Sequence, residues 1–408
     1  MSLILFWSAA ALIAYTYIFF PALVFLRGLL HRRPYRSAEI TPQVSLIIAA
    51  HNEAGSIGAK LDNILSLDYP RDRLEVVIAS DGSNDGTDAI VRGYAGQGVK
   101  LLSLPRQGKA PALNAAVAAS TGEILVFSDA NSMYAPDAIR ALVRPFADPE
   151  VGGVAGNQRY ASAPLRTDLA GDSDGAGDGE RSYWNFDRKL KQSQSRAGNA
   201  ISATGAIYAI RRSLFRTVPV GVTDDFVTST RVIAQGYRLV FAPDAIAYEP
   251  VARSSGAEFG RKVRVITRGL RGVLVMRELL NPFRYGFYAI QLFSHKVLRR
   301  LAVFPLLMLL LASPQLWQHG LFYQVATLVQ LGFYGCGALG LLLGGTRLGR
   351  LKVFTIVFFF CMVNAASLLA SVNVLRGRQI DRWEPQRQGA HAAANHATVS
   401  SPQESGLP

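Results

Sequence analysis

In VSLIIAAHNE, Val44 to Glu53, an apolar strand over Val44 to Ala50 stops abruptly in a polar cluster. After Ser45 it shows no polar alternation, the signature of a strand buried on both faces in a largely parallel sheet. Ile57, Leu61, Ile64 and Leu65 follow at helical spacing. The unit then recurs. Leu74 to Ala79 reads as the next strand and Thr87 to Tyr94 as the next helix, and Val99 to Leu104 and Glu123 to Phe127 complete four strands separated by helices. Strands alternating with helices specify an α/β layer architecture between about residues 42 and 250.

In such sheets ligands bind beyond the carboxyl ends of the strands. Three strands end in polar clusters: Ala49-Ala50-His51-Asn52-Glu53, Ser80-Asp81-Gly82-Ser83-Asn84-Asp85-Gly86-Thr87 and Ser128-Asp129-Ala130-Asn131-Ser132. Any one of them is the composition of an ordinary turn. Three on successive strands, each with a carboxylate, converge on one sheet edge and suit a nucleotide carrying a diphosphate. A carboxylate at the second strand end can accept from a uracil N3–H or a ribose hydroxyl, and one at the fourth can hold a hard divalent cation with phosphate oxygens. Gly108-Lys109 opens the helix after the third strand, where Lys109 reaches a phosphate as a point charge.

The chain has 408 residues, a net charge of +14, 50% hydrophobic residues and only 18% charged ones. This excludes disorder as the main state and calls for lipid-facing segments. Ser2 to Leu26 carries no charge and is followed by Arg27, His31, Arg32, Arg33 and Arg36. It is long enough to span a bilayer and lacks the basic start of a signal peptide. The positive-inside rule puts the N-terminus outside and Arg27 onward in the cytoplasm. Three more apolar runs follow: Leu301 to Trp317, broken by Pro305 and Pro314, then Leu321 to Gly345 and Val353 to Leu375. Three full spans there would send the basic tail outside, so the proline-broken run is the one suited to re-entry. The expected organisation is a membrane helix over 1–30, an α/β domain over 42–270, a basic juxtamembrane segment over 271–300, membrane helices over 301–376 and a disordered tail over 377–408. Cys336 and Cys361 lie in apolar runs and build neither a disulfide scaffold nor a zinc site.

Between Arg261 and Arg300 ten basic residues face one acid, Glu278. The plain reading is a collar on anionic lipid. Nucleic acid is excluded as a partner, because the chain shows no recognition motif or interleaved aromatic platform.

VSLIIAAHNE, VVIASDGSNDGTDAI, RQGKAPALNAAV, GEILVFSDANS, SATGAIYAIRR and the TDDF at Thr223 to Phe226 together resemble the inverting family 2 glycosyltransferases of the GT-A fold, a Rossmann-like nucleotide-diphospho-sugar transferase sheet. The resemblance runs from Val44 to about Arg268. It implies that Asp81 contacts the uracil and that Ala50 and Glu53 wall the base and ribose. Asp129 and Asn131 stand at the two ends of the DxD metal motif, which implies Mg²⁺ or Mn²⁺. Asp225, paired with Asp224, matches the catalytic base, and Gly205 sits in the acceptor-side turn. Three positions depart from the family. Asn131 removes one metal-binding charge. Asp224-Asp225 replaces a Glu-Asp pair. Arg261-Lys262-Val263-Arg264-Val265 replaces the QxxRW of processive members, keeping Arg264 for the pyrophosphate and losing the tryptophan.

The resemblance implies a cell-membrane enzyme with a cytoplasmic domain, moving a sugar from a nucleotide-sugar donor to a lipid or glycan acceptor, with the bilayer and envelope-biosynthesis proteins as its partners. Asp225 opens a helix through Ile233 and would deprotonate the acceptor; the diphosphate would be met by Asp129, Arg264 and Arg261. A processive polysaccharide synthase is the alternative, and a non-catalytic nucleotide-binding module, favoured by Asn131, is the alternative of another class. Asp168 to Glu180, rich in Gly and Asp, reads as a surface loop. Tyr183, Trp184 and Phe186 after it are either core anchors or, through Trp184, an acceptor-side platform.

Overall fold

A computed structural model of the chain describes residues 1–161, 178–250, 255–344, 346 and 348–378. The strands are β1 (Val44–Ala50), β2 (Leu74–Asp81), β3 (Val99–Leu104), β4 (Ile124–Asp129), β5 (Met133–Tyr134), β6 (Val151–Ala161), β7 (Tyr208–Arg211) and β8 (Arg238–Pro250). They form one eight-stranded sheet in the order β3-β2-β1-β4-β7-β6-β8-β5. The first four strands are parallel, as the apolar runs specify. Beyond β4 the sheet is mixed, which corrects the expectation of a largely parallel sheet: β7 runs antiparallel to β4 and β6, β5 antiparallel to β8, and only β6 and β8 pair in parallel.

Both faces of β1 are buried, and alternate residues feed two cores, consistent with the period of a strand. Leu46 and Ile48 join Ile57, Leu61 and Ile78 on one side, while Ile47 and Ala49 join Leu113, Phe127 and Tyr208 on the other. Each fully buried aliphatic side chain contributes about 1.5–3 kcal/mol. β4 is the switch strand. It lies parallel to β1, with Ala49 opposite Asp129, and antiparallel to β7, with Phe127 opposite Tyr208. The start of β7 and the loop before it therefore lie at the same edge as the carboxyl ends of β1, β2 and β4.

Among the described residues, three helices are long and apolar enough to cross a membrane: Ser2–Leu30, Leu321–Leu342 and Lys352–Leu375. A fourth apolar unit is a pair, Phe287–Leu298 and Val303–Gln315, bent by 61°. The break precedes Val303, so Pro305 and Pro314 sit inside one continuous helix instead of interrupting it.

The basic segment is also built into the fold. Tyr288, Leu279 and Leu292 are buried in the second core. The helix Ser255–Val275 turns Val263, Ile266 and Leu270 onto Ala366 and Ala370 of the last apolar helix. Its arginines face protein as well: Arg268 donates to the Val222 carbonyl at 2.6 Å, and Arg271 to the Arg378 carbonyl at 3.0 Å. Much of this charge is directed at acids and carbonyls of the fold, which a local count of charges cannot reveal. Of the remaining expectations, residues 168–177 and the tail from 379 lie outside the described residues.

Gly122 sits where the entry to β4 closes on β1, and a Cβ there would lie 2.4 Å from the Ser45 amide nitrogen. Gly122→Ala is expected to destabilise the domain by about 1–3 kcal/mol, read as a fall in the denaturation midpoint of the full chain in detergent.

Candidate active site

Gly108-Lys109 is the pivot of the site. Asp81, buried at the end of β2, accepts from the Gln107 amide at 2.7 Å and the Gly108 amide at 2.9 Å. Gly108 adopts φ +104, a left-handed conformation that favours glycine. The turn aims Lys109 inward, where its Nζ lies 2.7 Å from Asp129 Oδ1 and 3.2 Å from Asp224 Oδ2. Carboxylates from β2, β4 and the helix Asp224–Ala234 thus surround one lysine turn. Burial alone would push the Lys109 ammonium down, but Asp129 and Asp224 outweigh it and hold it firmly charged.

Asp224 and Asp225 have opposite environments. Burial raises Asp224, yet Lys109 and Arg268, the latter 4.0 Å away, hold it below the usual carboxylate range. Asp225 is pushed up to about 6 by burial and by the neighbouring Asp224, against the pull of Lys109 and of the Phe226 amide, which donates to Asp225 Oδ1 at 2.7 Å. Two adjacent acids with separated affinities for a proton form an acid–base arrangement.

The other expected residues fall as follows. Ala50 is fully buried opposite Ser80. Glu53 caps the helix Ala54–Leu65, its Oε2 accepting from Ser56 Oγ at 2.6 Å and its amide donating to Thr87 Oγ1 at 2.9 Å. Asn52, at φ 53, accepts from the Asn84 amide at 2.9 Å, which joins the loops after β1 and β2. Gly205, expected in the acceptor-side turn, lies against Asp129: a Cβ there would lie 2.8 Å from Asp129 Oδ2, so glycine lets the carboxylate rest against the backbone. The arginine brought to the Asp224-Asp225 pair is Arg268, one turn after the half-buried Arg264. Arg261 instead acts by charge on Glu249. Trp184 belongs to the helix Asp178–Arg196, and its side chain lies outside what the structure describes.

Asp129 and Asn131 offer one carboxylate and one amide oxygen, and among the described residues no three His, Cys, Asp or Glu side chains gather to hold a metal alone. This donor set fits Mg²⁺ or Mn²⁺ in the manner of ions that take one or two protein oxygens and complete their shell with phosphate and water.

Sequence reading missed the underside of the Asp129–Ser132 turn. Lys60 is fully buried; its Nζ donates to the Ser132 carbonyl and sits 3.9 Å from the centre of the Tyr134 ring. Burial lowers it to about 7, offset in part by Asp129 and Glu249. Glu249, on β8, accepts from Ser132 Oγ at 3.1 Å and from Gln158, and burial with the nearby Asp129 raises it to about 7. The signal was present: Lys60 falls on the apolar stripe of Ile57, Leu61 and Ile64. Tyr208, stacked on Phe127 with ring centres 4.7 Å apart, is the other missed residue, and burial beside Asp224 and Asp225 pushes its phenol up.

A mixed sheet with these carboxylates at its parallel strand ends defines a GT-A type glycosyltransferase fold. Residues 45–218 match the family described as Glycosyl transferase family 2, and the domain is a family 2 glycosyltransferase domain. Over 255 residues the chain is 26% identical to the poly-beta-1,6-N-acetyl-D-glucosamine synthase of Staphylococcus epidermidis, covering 61% of this chain and 59% of that protein. The Staphylococcus aureus (strain MSSA476) protein of the same name is 25% identical over 248 residues, 59% of this chain and 57% of that one. The chain thus spans less than two thirds of the length of the curated relatives it matches. Among solved structures, the mannosyltransferase PcManGT from Pyrobaculum calidifontis, in complex with GDP-Man and Mn²⁺, superposes with a TM-score of 0.67 at 27% identity over 92% of this chain and all of that one.

Lys60→Met leaves the Ser132 carbonyl without its buried donor and is expected to cost about 1–3 kcal/mol, the usual penalty for a buried polar group left unsatisfied. Adding Glu249→Gln should recover part of that loss in chemical denaturation, because the charges of Lys60 and Glu249 attract each other.

Proposed function

We propose that the protein is a membrane-bound inverting glycosyltransferase that moves a sugar from a UDP-linked nucleotide-sugar donor to a lipid or glycan acceptor in envelope or exopolysaccharide biosynthesis. The single observation that carries the reading is the Lys109 bridge between Asp129 and Asp224. It brings a diphosphate-binding cation and a metal-type carboxylate beside the Asp224-Asp225 pair. The names of the staphylococcal relatives support an N-acetylhexosamine as the class of sugar moved, and the GDP-Man and Mn²⁺ bound to PcManGT support a nucleotide-sugar donor and a divalent ion.

In this mechanism Asp225 takes the proton of the acceptor hydroxyl, the acceptor oxygen bonds to the anomeric carbon from the face opposite the leaving group, and the bond to the nucleotide diphosphate breaks. Asp224, held ionised by Lys109 and Arg268, keeps Asp225 basic enough to serve. Lys109 and Arg268 are the cations available to the departing diphosphate. A divalent ion at Asp129 and Asn131 would supply further neutralisation of that charge. Asp81 acts through the Gly108-Lys109 turn that it holds. Val265 in place of the tryptophan of processive enzymes favours single or short transfers over long-polymer synthesis.

We further place the chain in the cell's inner membrane as a multi-pass protein with its α/β domain cytoplasmic. The apolar helices and the basic residues after Leu30 support this placement.

Asp225→Asn is expected to lower turnover by about 10²–10⁴-fold while nucleotide-sugar binding, measured by calorimetry, stays near wild type; unchanged turnover contradicts the assignment. Because Asp225 works deprotonated and titrates at about 6, wild-type turnover should level off above that pH. Below it, turnover should fall by about tenfold per unit.

A further inference from the structure

A cavity of about 360 Å³ opens at the foot of the first apolar helix, bounded by Arg32, Arg33, Tyr35 and Arg196, with Phe241 and Pro243 among its apolar walls. Its frame is fixed. The Arg33 amide donates to the Arg196 carbonyl at 2.8 Å, and Gly28 lies so close to the helix Asp178–Arg196 that a Cβ would meet Ser193 at 2.9 Å. Leu26, Leu29 and Leu30 lead to it with their side chains exposed, an apolar approach that ends in cations.

The surrounding charge is accounted for. Arg33 bonds Glu150 at 2.8 Å, and Asp148 accepts from the Arg36 amide at 3.0 Å. Arg238 donates to the Arg33 and Pro34 carbonyls, and Asp244 acts on Tyr35 from outside. The lining itself contains three arginines and no carboxylate. A cationic rim over apolar walls, at the level where a spanning helix leaves the bilayer, has the chemistry of an amphiphile's charged head, and its volume lies in the range of small-ligand sites.

We propose that this pocket holds the phosphate headgroup of an anionic phospholipid and fixes the height of the α/β domain against the membrane surface. The proposal rests on reading Ser2–Leu30 as a span. Lipid contact is thereby assigned to Arg32, Arg33 and Arg196, in place of the 261–300 stretch, whose Arg268 and Arg271 face protein carbonyls.

The test is thermal unfolding of the full chain in nanodiscs of phosphatidylcholine alone or with about one third phosphatidylglycerol, comparing wild type, Arg32→Gln/Arg196→Gln and the exposed control Arg92→Gln, on the helix Thr87–Arg92 beside β3, six strands from the β8 wall of the pocket. Both pocket side chains are exposed, so the double variant should fold. The wild type and the control should melt higher with phosphatidylglycerol, and the double variant should lose more than half of that difference. A double variant that keeps the full difference overturns the proposal, as does inorganic phosphate reproducing the shift in detergent. Wild type that enters both discs and melts identically in them overturns the headgroup site alone. Wild type that enters neither overturns the spanning reading and the site with it.

Discussion

Lys109 is the charge around which the rest of the site is arranged. It joins Asp129, at the end of a parallel strand, to Asp224, which opens a helix 95 positions later. Removing one member of a buried charge cluster costs several kcal/mol, because the others are left unpaired in a poorly solvated place. The Asp81 carboxylate fixes the turn that presents the lysine, and Gly205 leaves room for Asp129 to face it. The arrangement also sets the acid–base chemistry: by holding Asp224 ionised, Lys109 and Arg268 place a fixed negative charge beside Asp225 and keep that neighbour's proton affinity high.

The same constraint ties the site to the apolar helices. The helix Ser255–Val275 puts Val263, Ile266 and Leu270 on Ala366 and Ala370 at one face, while Arg268 reaches Asp224 and the Val222 carbonyl. A shift of the apolar helices would therefore be felt at Asp224 through one rigid element. Phe287–Leu298 adds a second tie, since Tyr288 and Leu292 complete the core under the sheet.

Much of this was legible in the amino-acid sequence. Strands β1 and β3 have the expected bounds, and β2 and β4 lie within two residues at either end, because continuous apolar runs between turn clusters leave little choice. The carboxylates at their ends followed from the geometry of parallel sheets. The second half of the sheet was harder to see. β5 has two residues, and β6 begins Val-Gly-Gly, a composition that hides a strand; Gly152 is required because a Cβ would meet Leu214, Tyr237 and Val232 within 2.8 Å. The contact of Gly205 with Asp129 depends on an antiparallel register that no local pattern encodes. The inward-turned arginines had the same cause: their partners, Asp224 among them, lie far away along the chain. Lys60 was the one signal present and passed over, a charged residue at core spacing.

A nucleoside diphosphate is expected to take the place beside Asp129 that Lys109 shares with Asp224. An electron cryo-microscopy structure of the full chain with Mn²⁺ and a nucleoside diphosphate tests it most directly. The account predicts diphosphate density within reach of both Asp129 and Lys109, with Asp225 open to the opposite side. A diphosphate bound elsewhere, with the Lys109 bridge to Asp129 and Asp224 intact, would contradict it.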